Sequence, residues 1–328
     1  MGRTAKWICG FLLLASIALL ALNYTPDTDP AAMRAKYASK ASQFVDLGGG
    51  LTMHVRDEGK RDGPALVLLH GSNSSLHTWE PWVARLGAKY RVISLDQIGH
   101  GLTGPNPSNR YDAAAFVGTL DALMVKLGVR RFALAGNSMR GWVAWEYALA
   151  HPDKVTRLIL IDAAGPPDDP ATSISLGFRI QQTPLLNRIS TIVTPRAMVA
   201  SSLQSVFSDK RVITERKIDQ IWELVRYPGN RQATLDIIAA RVSQREHVSR
   251  LGDIRAPTLI LWGADDTNIP VAGADWFAAR IPRSAKIIYA GTGHLPMEEA
   301  AERSAADTGA FLSKPFPSPR IPPSIPAR

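Results

Sequence analysis

The chain is poor in cysteine, and this excludes two common ways of stabilising a fold. Cys9 is the only cysteine among 328 residues, so no disulfide bond can form within the chain. No cysteine–histidine cluster has the spacing of zinc ligands. The glycine run Gly48–Gly50 does not open a helical pattern, so it does not predict a phosphate-binding loop. We therefore predict neither a metal site nor a cofactor.

Dense runs of basic residues are also missing, although the net charge is +9. Arg3 and Lys6 near one end, and Lys314, Arg320 and Arg328 near the other, supply five of these charges. The remaining +4 is spread over the body of the chain, which is a weak signal for nucleic-acid binding. We therefore predict no nucleic-acid partner.

One long uncharged stretch lies near the N-terminus. Trp7–Leu22 is sixteen residues without a charge and follows Arg3 and Lys6. As a helix it would span about 24 Å, slightly less than the hydrocarbon core of about 30 Å. Neither Ala21 nor Asn23 closes a good small-residue cleavage site, so we expect an uncleaved membrane anchor with the body outside the cytoplasm, periplasmic or extracellular. A cleaved signal peptide, giving a secreted protein, is the alternative, and a buried N-terminal helix is a third.

Between the two ends, strand patterns alternate with helix patterns. Residues 42–59 predict a β-hairpin, and helical patterns follow the later strands. The short apolar runs that predict strands buried on both faces are Ala65–Gly71, Tyr90–Asp96, Arg131–Gly136, Val155–Asp162, Pro257–Gly263 and Ala285–Ala290. The helical patterns are Ala113–Leu127, Met139–Ala150, Gly273–Arg280 and Pro296–Leu312. This alternation predicts an α/β fold with a mostly parallel, eight-stranded sheet flanked by helices.

The alternation breaks once, and the two ends differ in composition from the body. Between Gly165 and Asp253 periodic apolar segments predict a helical cap inserted after the sixth strand. Pro26 and Pro30 suit a linker, and the last fifteen residues hold six prolines, which predicts an extended tail. We therefore predict five parts of the chain. They are an anchor or signal segment at residues 1–23, a linker at 24–41, the core at 42–164 and 254–313, the cap at 165–253, and the tail at 314–328.

Ser138 has the sequence context of a serine nucleophile. It lies in "AGNSMRG", between an apolar strand and an apolar-faced helix. A strand-to-helix turn of this kind projects the serine oxygen and points helix N–H groups at the same place. A serine hydroxyl also needs a base and a group that orients the base. The ends of two later strands supply Asp266 and His294, and the carboxyl ends of parallel strands meet at one edge of a sheet.

Five separate stretches resemble the α/β-hydrolase fold family, over roughly residues 42–313. They are "LLHGSNSSLHTW", "LDQIGHGLTGP", "GNSMRG", "APTLILWGADDTNIP" and "GTGHLPMEE". In the family's order, these resemble its oxyanion loop, its D-x-x-G-H-G segment, its nucleophile elbow, its acid-bearing strand and its histidine loop. Within the family, the sequence looks most like the meta-cleavage-product hydrolases, which cleave C–C bonds, and the esterase-like members.

The resemblance implies a role for each matching residue. Ser138 would be the nucleophile, His294 the general base and Asp266 the acid that orients the histidine. The backbone N–H groups of Ser72 and Met139 would form the oxyanion hole.

Three residues leave alternatives open. Asp265 precedes the preferred acid and is interpreted as a turn or capping residue. Asp162 also ends a strand, and some family members place the acid there. Arg140 stands where the elbow needs a very small residue. We expect the turn to open and the arginine to reach solvent or a salt bridge, whereas the alternatives are a misplaced, weakly active serine or an altered residue in this chain.

The many apolar and few acidic residues of the predicted cap suggest a small hydrophobic carbonyl substrate, either uncharged or anionic. Hydrolysis of a carboxylic ester through an acyl-enzyme is the first expectation. Cleavage of a C–C bond in a diketone is the more specific alternative. A ligand-binding protein is the alternative from a different class of function. Such a protein would keep the hydrolase fold but hydrolyse its ligand slowly or not at all, and Arg140 is the feature that supports this alternative.

Overall fold

The computed structural model describes most of the chain between the two ends. The described residues are Trp7, Phe11 and Ala18, and 21–167, 179–181, 183, 186–240 and 247–314. Within this set, no helix is both long and apolar enough to cross a bilayer. Most of the predicted anchor and nearly all of the proline-rich tail lie outside the described residues.

A single eight-stranded sheet forms the centre of the protein, as predicted. Its strands are β1 Ser42–Gly48, β2 Leu51–Gly59, β3 Ala65–Leu69, β4 Arg91–Leu95, β5 Phe132–Asn137, β6 Val155–Ile161, β7 Thr258–Gly263 and β8 Ser284–Tyr289. Their order across the sheet is β1-β2-β4-β3-β5-β6-β7-β8. β2 pairs antiparallel with β1 and β4, and the other neighbours are parallel. The carboxyl ends of β5, β6, β7 and β8 therefore lie side by side.

Helices cover both faces of the sheet. The α-helices of the described residues are α1 Pro30–Tyr37, α2 Glu80–Leu86, α3 Ala113–Lys126, α4 Met139–Ala150, α5 Leu186–Ser190, α6 Arg196–Val206, α7 Glu215–Val225, α8 Asn230–Ala239, α9 Ala272–Ala278, α10 Pro296–Glu299 and α11 Ala301–Ser313. Helices α5 to α8 lie between β6 and β7, where the sequence predicts the cap, and the described residues between those two strands contain no strand.

The central strands are mostly apolar because their side chains alternate between two cores. In β3, Val67 and Leu69 join the core that contains α3 and α4, whereas Leu66 and Leu68 join the core that contains α2 and α11. Successive side chains of a strand point to opposite faces, so a strand covered on both faces needs apolar residues at every position. The short continuous apolar runs were sufficient to predict these strands.

The segment before β1 differs from the predicted linker because it contains helix α1. The Asp29 side chain accepts a hydrogen bond from the N–H of Ala32 at 2.7 Å, and Pro30 is the first helical residue. Both are favourable at a helix N-terminus, since the first N–H groups have no partner within the helix. Met33 and Tyr37 of α1 are buried in a small cluster with Leu224 of α7. The proline that suggested a linker instead begins a packed helix.

Candidate active site

Ser138 lies on a strained turn between β5 and α4. Its φ is 56° and its ψ is −130°, a region that non-glycine residues rarely adopt and that costs about 1–3 kcal/mol. Its N–H donates to the carbonyl of Ile161 at 2.9 Å, and its own carbonyl accepts from Gly141 and Ala164, both at 2.9 Å. The bonds with Ile161 and Ala164 tie the turn to the end of β6, and the bond from Gly141 closes the turn onto α4. The strand, turn and helix have the arrangement of a nucleophile elbow.

The close approaches around this turn fall at two glycines. A Cβ at Gly136 would lie 2.2 Å from the carbonyl oxygen of Arg140, and one at Gly141 would lie 2.3 Å from the Cβ of Ala163. Neither distance is possible for real atoms. The second small residue that the elbow requires is therefore Gly141, and the position before it can carry a side chain.

The Arg140 side chain is completely buried, so the expectation that it reaches solvent is wrong. Its Nη2 donates to His100 Nδ1 at 3.3 Å, and its guanidinium carbon lies 4.3 Å from the centroid of the Phe116 ring. No ion pair of Arg140 exists within the part of the chain that the structure describes. Burial lowers the pKa of Arg140 to about 9, so the side chain is still charged at neutral pH. The helix thus holds a buried cation beside the elbow without opening the turn.

Asp266 and His294 are hydrogen-bonded to each other at the ends of β7 and β8. The distance from His294 Nδ1 to Asp266 Oδ2 is 2.6 Å, and both residues are buried. Asp266 Oδ1 accepts from the N–H groups of Asn268 at 2.8 Å and Ile269 at 3.2 Å. An ionised Asp266 places the proton on His294 Nδ1, which leaves Nε2 free to accept one. Asp265, by contrast, is exposed and accepts from the Ser208 hydroxyl.

The residue before Ser138 joins the elbow to the histidine loop. Asn137 Nδ2 lies 3.2 Å from the carbonyl oxygens of both Ile161 and His294. From the other side, the His294 N–H donates to the carbonyl of Val206, at the end of α6, at 2.8 Å. The ends of β5, β6 and β8 are thereby held together, with α6 packed directly on the histidine loop. Sequence reasoning missed Asn137, because an amide that bonds only to main-chain carbonyls has no recognisable motif.

Asp162 lies beside the same pair, at the end of β6. It is fully buried, and its φ of 43° lies in the left-handed region. Its Oδ1 accepts from the N–H of Gly263 at 2.9 Å, and one of its carboxyl oxygens lies within 4.8 Å of a carboxyl oxygen of Asp266 and a ring nitrogen of His294. Burial and the neighbouring Asp266 raise the pKa of Asp162 well above the usual carboxyl range. The alternative acid of the sequence analysis is thus next to the preferred acid.

The two acids and His294 also have the composition of a metal site, with ligand atoms within 4.8 Å of one another. Two atoms bound to one tetrahedral Zn²⁺ at about 2.0–2.2 Å would lie about 3.3 Å apart. The 2.6 Å between His294 Nδ1 and Asp266 Oδ2 is instead a charge-assisted hydrogen bond. These two atoms are donor and acceptor rather than two ligands of one ion.

The loop after β3 presses against the elbow and brings Ser72 to Met139. A Cβ at Gly71 would lie 2.7 Å from Asn137 Oδ1 and 3.2 Å from the Cβ of Ser138. The Ser72 hydroxyl donates to the Met139 sulfur at 3.6 Å. Met139 is the first residue of α4, so its N–H has no partner within the helix. The two residues predicted for the oxyanion hole are therefore neighbours.

A second Ser–His–Asp chain, which the sequence did not indicate, lies at the other side of the sheet. Ser42 Oγ is 2.8 Å from His54 Nε2, and His54 Nδ1 is 2.7 Å from Asp96 Oδ2. Asp96 also accepts from the N–H groups of Leu76 and Leu102, both at 2.8 Å. Ser42 lies within an extended strand rather than at a helix N-terminus, so no helix N–H groups point at its oxygen. We interpret this chain as a buried polar network that fixes the loops after β3 and β4.

A small pocket lies between the loop after β3 and the inserted helices. Asn73 and His100 line its core side, and Leu224 and Thr234 line it from α7 and α8. The Thr234 hydroxyl donates to Asn73 Oδ1 at 3.3 Å, so α8 contacts the residue next to Ser72. None of the residues that line the pocket is acidic, lysine or arginine, and burial holds the pKa of His100 well below its usual range. The pocket wall is therefore uncharged at neutral pH.

Comparisons with known proteins agree with this fold. Residues 64–301 match the family model described as the alpha/beta hydrolase fold. A 2-hydroxy-6-oxononadienedioate/2-hydroxy-6-oxononatrienedioate hydrolase from Paraburkholderia xenovorans is 28% identical over 284 residues, covering 81% of this chain and 93% of its own length. The crystal structure of a bacterial membrane phospholipase A matches with a TM-score of 0.73 and 25% identity, over 94% of this chain and 98% of that one. A meta-cleavage product hydrolase matches in fold with a TM-score of 0.70 and 21% identity, over 83% and 98%. The chain belongs to the α/β-hydrolase fold family.

Proposed function

We propose that this protein is a serine hydrolase that cleaves a hydrophobic carboxylic ester. The observation that carries the proposal is the strained Ser138 turn, which lies at the same edge of the sheet as the bonded pair Asp266–His294. The fold and the relatives support hydrolase chemistry in general. The ester and the residue roles are our inference.

The reaction follows from the order of the groups. Ser138 Oγ attacks the carbonyl carbon while His294 Nε2 takes the hydroxyl proton, and the N–H groups of Ser72 and Met139 stabilise the oxyanion. The proton then passes from His294 to the leaving alcohol, and an acyl-enzyme remains. Water, deprotonated by His294, attacks the acyl carbon and releases the acid and the free serine. Asp266 holds the histidine in the required tautomer and stabilises its charged form.

The ester is our first candidate because the similar membrane phospholipase A, by its name an enzyme that acts on a lipid ester, covers 94% of this chain. Cleavage of a C–C bond in a diketone is our second candidate, because relatives with this printed activity cover most of the chain. A ligand-binding protein with weak or no hydrolysis is the third, and the unopened elbow around Arg140 does not favour it.

The test is a panel of chromogenic esters of varied acyl length, run beside a vinylogous diketone. We expect turnover of neutral esters by the wild type, and a loss of at least about a thousandfold in Ser138→Ala, since the nucleophile is removed. Faster cleavage of the diketone than of every ester would replace the ester proposal by the C–C one. Ligand binding with no turnover of any compound would support the binding protein.

We further propose that the protein is anchored to a membrane through residues 7–22, with its body outside the cytoplasm. Three large apolar side chains, Leu186, Ile189 and Ile192, are exposed on α5 and just after it. The N–H of Thr25 donates to the carbonyl of Ile192 at 2.9 Å, so this exposed patch adjoins the chain that leaves the apolar segment. The similar membrane phospholipase A makes a lipid ester one candidate substrate.

The same panel tests the anchor when it is run on the full chain and on a variant lacking residues 1–23. We expect the full chain in the membrane fraction and the shortened chain in the soluble fraction, with equal kcat on soluble esters. A full chain that is secreted without residues 1–23 would support the alternative, a cleaved signal peptide.

A further inference from the structure

The buried carboxyl of Asp162 has no role in the reaction described above, although it contacts the group that orients the histidine. Its backbone N–H donates to the carbonyl of Leu261 in β7 at 2.9 Å, and its Oδ1 accepts from Gly263 of the same strand. Two bonds therefore fix this residue against β7, one through its backbone and one through its side chain. Its Oδ2 is buried and has no hydrogen-bond donor among the described residues, and a carboxyl oxygen of Asp162 lies within 4.8 Å of one of Asp266.

Two buried carboxyl groups whose oxygens lie within 4.8 Å of each other repel strongly when both are ionised, so one of them keeps its proton. The number of donors decides which one is ionised. Asp266 accepts from His294 Nδ1 and from the N–H groups of Asn268 and Ile269. Among the described residues, the Asp162 side chain accepts only from the N–H of Gly263. Three donors stabilise a carboxylate better than one, so the proton belongs on Asp162.

A second acid nearby adds to this preference. Glu299 of α10 accepts from the N–H groups of Gly293, Ser208 and Asp209, at 3.0, 3.1 and 2.6 Å, as an ionised carboxylate would. Its negative charge, like that of Asp266, disfavours a charge on Asp162. The remaining neighbours are His294, which is bonded to Asp266, and Tyr289 of β8, whose hydroxyl donates to Asp307 at 2.9 Å. Neither of them donates a hydrogen bond to Asp162 among the bonds of the described residues.

We propose that Asp162 is a positioning residue that stays protonated and donates a hydrogen bond to Asp266, so that the Asp266 carboxylate keeps the orientation in which it accepts from His294. The inference rests on the proposed function, because it assigns Asp266 as the acid of the triad. The catalytic chain then has four members, in the order Ser138, His294, Asp266 and Asp162. Asp162 does not touch the substrate and acts only through Asp266.

Replacement of Asp162 by Asn, Asp162→Asn, tests the proposal against an ionised Asp162. The amide oxygen can accept from Gly263 and the amide NH₂ can donate to Asp266, so Asn reproduces the protonated acid. We expect kcat and KM within about threefold of wild type. In Asp162→Ala the donor is lost, and we expect kcat to fall roughly ten- to a hundredfold with KM unchanged, the range for losing a hydrogen bond to a charged group. Asp266→Asn, which removes the acceptor of the histidine, is the control for loss of the triad acid.

Infrared difference spectroscopy supplies a readout that needs neither catalysis nor a substrate. We expect the wild type at neutral pH to show the C=O band of a buried protonated carboxyl, and Asp162→Asn to lack it. Loss of that band together with retained kcat in Asp162→Asn is the predicted result. Absence of the band in the wild type, an Asp162→Asn variant as inactive as Asp266→Asn, or full kcat in Asp162→Ala would each overturn the proposal. Presence of the band in a protein that hydrolyses nothing would leave the pair intact and refute only the proposed function.

Discussion

Arg140 lies in the first turn of α4, directly beside the strained turn at Ser138. The local sequence pattern predicted a conflict at this position, because a nucleophile elbow tolerates little bulk after the serine. The conflict does not arise, since the close contact falls on Gly141, where a Cβ would meet Ala163 at 2.3 Å. Which of two adjacent helix residues faces β6 depends on how α4 is rotated against the sheet, and the heptapeptide alone does not contain that information.

The buried charge of Arg140 leads to a prediction about stability. Desolvating a guanidinium costs several kcal/mol, whereas a desolvated cation–π contact such as that with Phe116 returns about 2 kcal/mol. The cost exceeds the gain, so Arg140→Met, an apolar side chain of similar length, should raise the free energy of unfolding by about 1–4 kcal/mol. Denaturant unfolding measures this.

Arg140→Gly is the matched control, because it removes the charge but leaves a cavity and a flexible backbone. We expect it to be less stable than Arg140→Met. A Met variant less stable than wild type would show that the cation makes a favourable interaction beyond those with His100 and Phe116.

At the scale of elements, the segment before β1 connects the inserted helices to the core. The Tyr37 hydroxyl of α1 donates to Glu223 of α7 at 2.6 Å, and burial together with Glu223 raises the pKa of Tyr37. Farther along, Asp27 pairs with Arg231 of α8 at 2.7 Å. The sequence predicted a linker from Pro26 and Pro30. The Asp29–Pro30 pair was the available signal for a helix start, but the partners of α1 lie almost 200 residues away and no local pattern indicates them.

Two matched variants test whether α1 stabilises the inserted helices. Tyr37→Phe removes a mostly buried hydrogen bond to a carboxylate and should lower the free energy of unfolding by about 1–2 kcal/mol. Lys36→Ala removes the neighbouring ion pair with the same Glu223, whose lysine is half exposed, and should cost less than about 0.5 kcal/mol. The denaturant midpoints of the two variants, compared with that of the wild type, measure these two losses of stability. Equal losses, or a larger loss for Lys36→Ala, would contradict this account.

Over the whole molecule, the sequence predicted the sheet and the edge at which the candidate site lies. Each central strand is a continuous apolar run, and Ser138, Asp266 and His294 each follow such a run, so their common edge follows from parallel pairing. The contact between Asp162 and Asp266 was not predictable in the same way. It requires β6 and β7 to be neighbours in space, although the inserted helices separate them in the sequence. The uncharged pocket likewise depends on how α7 and α8 pack over the loop after β3.

The most direct test of the central claim is labelling with a fluorophosphonate, followed by intact mass and peptide mapping. Ser42 provides an internal control, because it lies in a hydrogen-bonded Ser–His–Asp chain with His54 and Asp96. We predict one adduct on the wild type, located on Ser138, the same adduct on Ser42→Ala, and none on Ser138→Ala. Labelling that persists in Ser138→Ala, or a folded wild type that never labels, would contradict the assignment of Ser138 as the nucleophile.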